Sequence, residues 1–181
     1  MSSDRLRLFC ALRLHDEAID ALVRWQQREL RGGRLVPPES LHVTLAFLGD
    51  RPAGELDSIV AALRAAAVDA RELRLRVRGY RETRSVGMLT LDDEGGRATA
   101  LAERLHGLLE ELGVYRRERR PWRPHLTVLR FRERPRLHPP LPDLGESVSG
   151  EVCPSDAAVY ISRLRPGGVQ YEVLEIVALD R

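Results

Sequence analysis

Apolar positions along the chain follow two periods, and the change from one to the other divides it into predicted helices and strands. A helical period predicts three helices, and shorter apolar or alternating runs predict the strands between and after them. The predicted helices cover residues 16–30, about 54–69 and about 97–112. The predicted strands cover residues 6–14, 41–48, 72–80, 85–91, 126–132, 148–152, 157–164 and 170–179. Because helices and strands alternate early and strands dominate late, the predicted fold class is α+β.

Glycine and proline residues mark the boundaries of these elements. Gly32-Gly33 is expected to stop the first helix, and Pro37-Pro38 to force an extended approach to the second strand. Gly49-Asp50 is expected to end that strand, and Gly95-Gly96 to introduce the third helix. A Pro-rich loop is predicted over 135–142.

The run LHVTLAFLGD places polar side chains within an apolar strand. Residues two apart on a strand point to the same face, so His42 and Thr44 are expected to project together. Val43, Leu45 and Phe47 are expected to pack behind them.

The run RPWRPHLTVLRF repeats this arrangement about eighty residues downstream. His125 and Thr127 share one face, and Leu126 and Val128 occupy the other. Each half of the chain thus offers a helix, a loop and then a His-x-Thr strand. The repetition predicts two similar lobes around a cleft into which both motifs point.

Two imidazoles and two hydroxyls facing one cleft suit the opening of a cyclic phosphodiester. Histidines titrate near neutral pH, so one can deprotonate the attacking water while the other protonates the departing oxygen. The threonines can donate hydrogen bonds to non-bridging oxygens, where charge grows in the transition state. A single His-x-Thr pair is more often an ordinary pleated face, and the second copy is what favours a shared site.

Composition fits a soluble protein with one domain over residues 1–181. Apolar residues make up 43% and charged residues 31%, the balance of a globular chain of sufficient length to bury a core. A net charge of +2 gives no strong field for nucleic acid or membranes. All 29 residues counted as Lys or Arg are Arg, whose forked donors suit phosphate.

The sequence predicts a cytosolic location. Arg5, Arg7 and Arg13 interrupt the first apolar run, so no signal peptide is expected, and no run reaches the roughly 20 apolar residues of a membrane span. Cys10 and Cys153 have no CxxC spacing and no neighbouring His, so free thiols are expected and a zinc site is not.

The chain resembles the RNA 2′,3′-cyclic phosphodiesterases, also called 2′-5′ RNA ligases, of the two-histidine phosphoesterase superfamily. The resemblance runs nearly end to end and is carried by RLFCAL, LHVTLAFLGD, RPWRPHLTVLRF and VYISRLRPGGVQYEVL. Cys10 and His15 depart from it, since the family often has an aromatic residue and a proline there. Those departures concern contacts at the edge of the substrate.

The resemblance implies a bilobal fold and hydrolysis of RNA 2′,3′-cyclic phosphate to a 2′-phosphate by a monomer that uses neither metal nor cofactor. It implies that His42 is the general acid and His125 the general base, and that Thr44 and Thr127 hold the phosphate. The two histidines exchange roles when the reaction runs backward as ligation, and nothing in the sequence itself distinguishes them. The implied partner is an RNA end with a cyclic phosphate, or a cyclic nucleotide.

Three more residues in the matching segments are candidates for substrate binding. Arg130, five residues after the second His, is implied to assist phosphate binding. Strict alternation places it opposite His125, so that role requires a bulge or a twist, and an ion pair with Glu133 is the alternative. For Phe9 the alternative is core packing, and for Ser162 it is a turn.

Other charged residues are interpreted as surface features. His106 and His138 are expected to be exposed. An arginine cluster before the second motif could attract RNA phosphates, or form a solvated surface partly paired with nearby Glu residues. Its members are Arg116, Arg117, Arg119, Arg120 and Arg123.

Two other functions stay open at this point. A nucleotide- or RNA-end-binding module could use the same cleft without turnover. A metal-dependent hydrolase is a third possibility, which the lack of a carboxylate at ligand spacing in either motif opposes.

Overall fold

The computed structural model describes residues 4–133, 142–148 and 150–179. The strands are β1 (Arg5–Leu14), β2 (Arg34–Leu35), β3 (Val43–Pro52), β4 (Leu75–Glu82), β5 (Val86–Asp93), β6 (His125–Arg130), β7 (Glu151–Val152), β8 (Pro154–Arg165) and β9 (Gly168–Ala178). The helices are α1 (Asp16–Glu29), α2 (Leu56–Ala67), α3 (Arg97–Glu111) and α4 (Gly145–Val148). The predicted Pro-rich loop, apart from Pro142, and His138 lie outside the described residues.

All described strands belong to one antiparallel sheet with the order β7-β4-β5-β6-β3-β1-β8-β9, and β2 pairs with β6. The edge of β6 that faces away from β5 is shared by β3, at Leu126, and β2, at Leu129 and Arg130. The side-chain amide of Gln26 in α1 donates to the Val36 and Val128 carbonyls at this junction. The α+β class is confirmed, and the division into two similar lobes stays a prediction.

The two faces of the sheet carry different clusters. The main core includes the fully buried Trp25 of α1, Leu63 of α2 and Leu105 of α3. The other face carries a small separate cluster, against which Tyr171 packs. That cluster consists of Phe9, Ala11, Ala158 and Tyr160.

Hydrogen bonds at the first turns of α1 and α3 define where these two helices begin. His15 precedes α1 as predicted, and its carbonyl accepts hydrogen bonds from Ala18 and Ile19. Asp93 accepts from the backbone N–H groups of Ala98 and Thr99 and so satisfies free donors at the start of α3. In the described part of the chain, no helix is long and apolar enough to cross a membrane.

The predicted surface position of His106 is wrong. It is only 4% exposed, and its Nε2 lies 2.8 Å from the Leu45 carbonyl oxygen of β3. The helical period explains this position, since His106 follows Ala102 by four residues and shares its buried face.

Two predicted strand boundaries are also wrong. The strand expected to stop at Gly49 continues to Pro52, because Gly49 adopts a φ of +68° and accommodates an irregularity in the pairing with β1. The strand expected over 148–152 is reduced to β7, and Val148 instead ends α4.

Candidate active site

The two motif strands meet at one pair, Val43 of β3 opposite Leu126 of β6. Both side chains are fully buried in the core. In an antiparallel register the positions flanking such a pair also stand opposite each other, with side chains on the other face of the sheet. Those positions hold His42 and Thr44 on one strand, and Thr127 and His125 on the other. The register therefore brings the four motif side chains together on the face away from the core.

A bulge in β6 carries Arg130 onto the same face. Two consecutive residues of β5 pair with Thr127 and Leu129, so Val128 is left without a partner in that ladder. Val128 and Leu129 are both buried, which interrupts the alternation and returns Arg130 to the side of Thr127. This is the irregularity that a role for Arg130 in the site requires.

The contacts of Arg130 place it beside the motif side chains. Its Nη2 donates to the Tyr171 hydroxyl over 2.9 Å. Its charge also lowers the pKa of His42, as does the charge of His125. Among the described residues Arg130 makes no ion pair with Glu133, so the geometry favours its position in the site.

The expectation that Phe47 packs behind the first motif is wrong. Successive residues of β1 pair with Thr44 and Ala46, so Leu45 is skipped. Leu45 and Ala46 are both buried, and Phe47 emerges 50% exposed, with its Cα paired to that of Phe9. A bulge has therefore moved Phe47 to the face that carries Phe9.

Aromatic rings enclose His42. Phe9 is 3% exposed, and its ring centroid lies 4.9 Å from that of His42 and 4.8 Å from that of Tyr160, which stacks on it. Tyr171 meets His42 edge to face, with centroids 5.4 Å apart. Phe9 thus packs as a buried residue and also forms one wall of the site.

Ser162 does not lie in a turn. It is inside β8, with its Cα paired to that of Tyr171 in β9. Alternation along β8 places it on the same face as Tyr160, one step farther from His42.

Burial controls the protonation of His42. It lowers the pKa of the imidazole from 6.5 to about 4, and the charges of Arg130 and His125 act in the same direction. The nearby backbone of Ser40 acts the other way and raises that pKa. At neutral pH the free protein therefore holds His42 in its neutral form.

The two histidines have related backbone settings. His125 Nδ1 lies 3.1 Å from the carbonyl oxygen of Arg123, two residues earlier. Ser40 likewise precedes His42 by two residues and its backbone affects the pKa of that ring, but the buried Nδ1 of His42 has no hydrogen-bond partner within the described residues. In His125 a carbonyl at Nδ1 favours the tautomer with the proton on Nδ1 and leaves Nε2 free to accept a proton.

The arginine-rich segment before β6 lies next to the site. Trp122 Nε1 donates to the Thr44 carbonyl over 3.0 Å, which holds this segment against β3. Arg117 is neutralised by Glu103 and Glu110. Its neighbours in the segment show no ion pair with the described residues: these are Arg116, Arg119, Arg120 and Arg123.

Sequence reasoning did not single out Tyr160 or Tyr171. Alternation along β8 is a signal for Tyr160, because it lies two residues before Ser162 on one face. No local signal brings Tyr171 to Arg130, since their hydrogen bond joins β9 to β6, strands that three others separate in the sheet.

Within the described ranges no group of three or more His, Cys, Asp or Glu residues is placed to hold a metal ion. Cys10 is a buried free thiol, and burial raises its pKa to about 12. Cys153 is also free.

Comparison with known proteins matches this geometry to a family. The sequence profile of the 2′-5′ RNA ligase superfamily matches residues 14–163, which include both His-x-Thr motifs. The chain belongs to the 2′-5′ RNA ligase superfamily. The resemblance stated from the sequence motifs is thereby confirmed.

Individual members of the superfamily align over nearly the whole chain. An RNA 2′,3′-cyclic phosphodiesterase of Thermus thermophilus is 37% identical over 96% of this chain and 90% of its own length. The crystal structure of TT0787 of Thermus thermophilus superposes with a TM-score of 0.80 at 33% identity, covering 96% of this chain and 98% of that one. Escherichia coli LigT complexed with 3′-AMP shares the fold, with a TM-score of 0.77 at 22% identity and coverage of 98% and 100%.

The depressed pKa of His42 predicts a specific acid sensitivity. The unfolded chain takes up a proton near pH 6.5 and the folded chain only near 4, so acid favours unfolding across that interval. Titration of His42 leaves the free energy of unfolding unchanged above about pH 6.5. It lowers that free energy by about 3 kcal/mol as the pH falls to about 4. Denaturant unfolding of a His42→Phe variant should show a correspondingly shallower loss of stability between these pH values.

The control for that measurement is His15→Ala, which removes an exposed imidazole outside the site. It should keep the pH slope of the unchanged protein. An equal slope in His42→Phe and the unchanged protein would contradict a buried neutral His42.

Proposed function

We propose that this protein hydrolyses RNA ends that carry a 2′,3′-cyclic phosphate and releases a 2′-phosphate, without a metal or cofactor. The observation that carries the proposal is the pair of His-x-Thr strands meeting at Val43 and Leu126, with both histidines on one open face. The name of the Thermus thermophilus relative, which aligns over nearly the whole chain, supports the same substrate class.

The proposed reaction needs one proton acceptor and one proton donor on opposite sides of phosphorus. His125 takes a proton from water, whose oxygen forms the new bond to phosphorus. The bond from phosphorus to O3′ breaks, and His42 gives its proton to the departing O3′. Arg130 and the hydroxyls of Thr44 and Thr127 stabilise the charge that builds on the non-bridging oxygens.

The acid role requires that substrate binding change the protonation of His42. In the free protein Arg130 helps to keep the imidazole neutral. A bound phosphodiester anion offsets that charge and favours a proton on His42, so the donor forms where the substrate sits. The acid and base assignment follows the superfamily, and the two histidines exchange roles in the ligation direction.

We also propose a cellular location and an oligomeric state. We expect the chain to act as a monomer in the cytoplasm, in RNA processing, as one domain over 1–181. The free thiols of Cys10 and Cys153 are consistent with a reducing compartment. Its substrates would be RNA ends with a cyclic phosphate or small cyclic nucleotides.

A turnover assay in excess chelator tests the proposal directly. A short RNA with a 2′,3′-cyclic phosphate end should be hydrolysed at the same rate with and without chelator. The product should carry its phosphate on O2′, as determined by phosphorus NMR. Loss of turnover in chelator that added metal restores would favour metal-dependent hydrolysis instead. Tight binding of the RNA end by folded protein, without product at any pH, would favour the binding module.

A further inference from the structure

Phe47 presents an unusual surface on the site-bearing face of the sheet. Half of its surface is exposed, and the guanidinium carbon of Arg7 stands 4.9 Å from its ring centroid. Alternation along β1 places Arg7 on the same face as Phe9, which confirms the side to which Phe47 points. An aromatic ring and a guanidinium group therefore lie together at the surface, on the face of the sheet that carries the motif side chains.

Phe47 is the counterpart of Arg130 in the other motif. Each lies five residues after its histidine, and in each strand the third residue after the histidine is the one skipped in the neighbouring ladder. The same backbone irregularity thus carries an aromatic ring to the face in one strand and a cation in the other. Since Arg130 lies at the motif residues, the matching position of Phe47 also places it on the face that carries them.

The surface at Phe47 is continuous with His42. The Cα of Phe47 is paired with that of Phe9, and the Phe9 ring contacts His42 at a centroid distance of 4.9 Å. Phe9 itself is buried and offers no free ring face, so an incoming base would meet Phe47 next.

The charges around Phe47 suit a base better than a phosphate. Asp50 lies 3.9 Å from Arg7, and the side chain of Arg5 is bound to the Asp50 carbonyl. The carboxylate offsets the charge of Arg7, so this surface offers stacking on a ring and a guanidinium plane rather than a site for an anion.

Arginines that could bind the phosphates of an RNA strand occur in the segment that contains Trp122. The segment that Trp122 anchors to the Thr44 carbonyl carries Arg119, Arg120 and Arg123, all within three residues of that anchor. None of these three makes an ion pair with the described residues, and such arginines can follow a phosphate backbone.

We propose that Phe47, with Arg7, is a stacking platform for the base of the nucleotide immediately 5′ of the one that carries the cyclic phosphate. The platform makes the enzyme favour an RNA end over a cyclic mononucleotide. This inference rests on the proposed function, because it uses the cyclic phosphate at the two histidines to fix where the strand begins.

The test compares a 2′,3′-cyclic mononucleotide with a dinucleotide that ends in the same cyclic nucleotide. The ratio of their kcat/KM values should favour the dinucleotide, and Phe47→Ser should reduce that ratio by about 5- to 150-fold, the range that base–aromatic stacking energies correspond to. Phe47→Trp should keep the ratio, because it retains a ring. Leu112→Ser removes an exposed apolar side chain at the end of α3 and should leave both kcat/KM values unchanged.

Binding of the two 2′-phosphate products, measured by calorimetry, separates the two proposals. If the protein turns over neither substrate but Phe47→Ser still weakens the dinucleotide selectively, the proposed function fails and the platform stands. If turnover is normal and the dinucleotide preference is absent, or is unchanged in Phe47→Ser, the platform is wrong and the proposed function stands.

Discussion

Replacing His125 by Ala is expected to lower turnover of an RNA cyclic phosphate by about 10³-fold or more, and His42→Ala should do the same. Each substitution removes one of the two proton transfers, and a solvent water replaces a positioned imidazole poorly. The losses should fall mainly on kcat, because the hydroxyls of Thr44 and Thr127 and the charge of Arg130 still hold the phosphate. The double variant should be little slower than either single one, since the two groups act in one step.

Steady-state kinetics on a short RNA with a cyclic end gives these values, and circular dichroism establishes that the variants fold. Arg104→Gln is the control, because it breaks only an exposed ion pair between Arg104 of α3 and Asp69. If both site variants keep near-normal turnover while folded, the two-histidine assignment is wrong. If only one loses activity, a single histidine carries both proton transfers.

The convergence of the two motifs could be predicted from sequence because it depends on short-range rules. Alternation fixes which side chains share a face, and His-x-Thr occurs twice in apolar strands. The register that joins Val43 to Leu126 then follows from burying both apolar faces, since a shift by one residue would expose them.

The positions of Phe47 and Arg130 could not be predicted in the same way. Each depends on a bulge, and a bulge is decided by how the neighbouring strand pairs rather than by the residues in the run. Alternation placed Phe47 in the core, and the skipped Leu45 reversed that. Strict alternation likewise places Arg130 on the face opposite His125, and only the family resemblance indicated that it belongs to the site.

The surroundings of His42 were also beyond local reasoning. Its depressed pKa arises from rings that the folded sheet collects from β1, β8 and β9, far apart in the chain. His106 shows the opposite case. The helical period of α3 does predict its burial, because it shares a face with Ala102.

Arg130→Gln should reduce kcat/KM by about 100-fold and also raise the pKa of His42, two effects with one electrostatic origin. Loss of a charged donor to the developing phosphate charge accounts for the rate. Burial is the main cause of the low pKa of His42 and the guanidinium adds to it, so removing the guanidinium should raise that pKa somewhat above about 4 while burial keeps it below 6.5. Proton NMR titration of the His42 ring measures the second effect in the absence of substrate.

Arg130→Lys divides the two effects. A lysine keeps the positive charge and so should keep the pKa of His42 low, yet its single ammonium cannot reproduce the forked donors, and kcat/KM should recover only in part. Arg104→Gln, which breaks an exposed ion pair with Asp69 on α3, is the control and should change neither value. If Arg130→Gln lowered the rate without moving the pKa of His42, Arg130 would act on the substrate alone. The low pKa of His42 would then come from its burial, with no contribution from the cation that the incoming phosphate offsets.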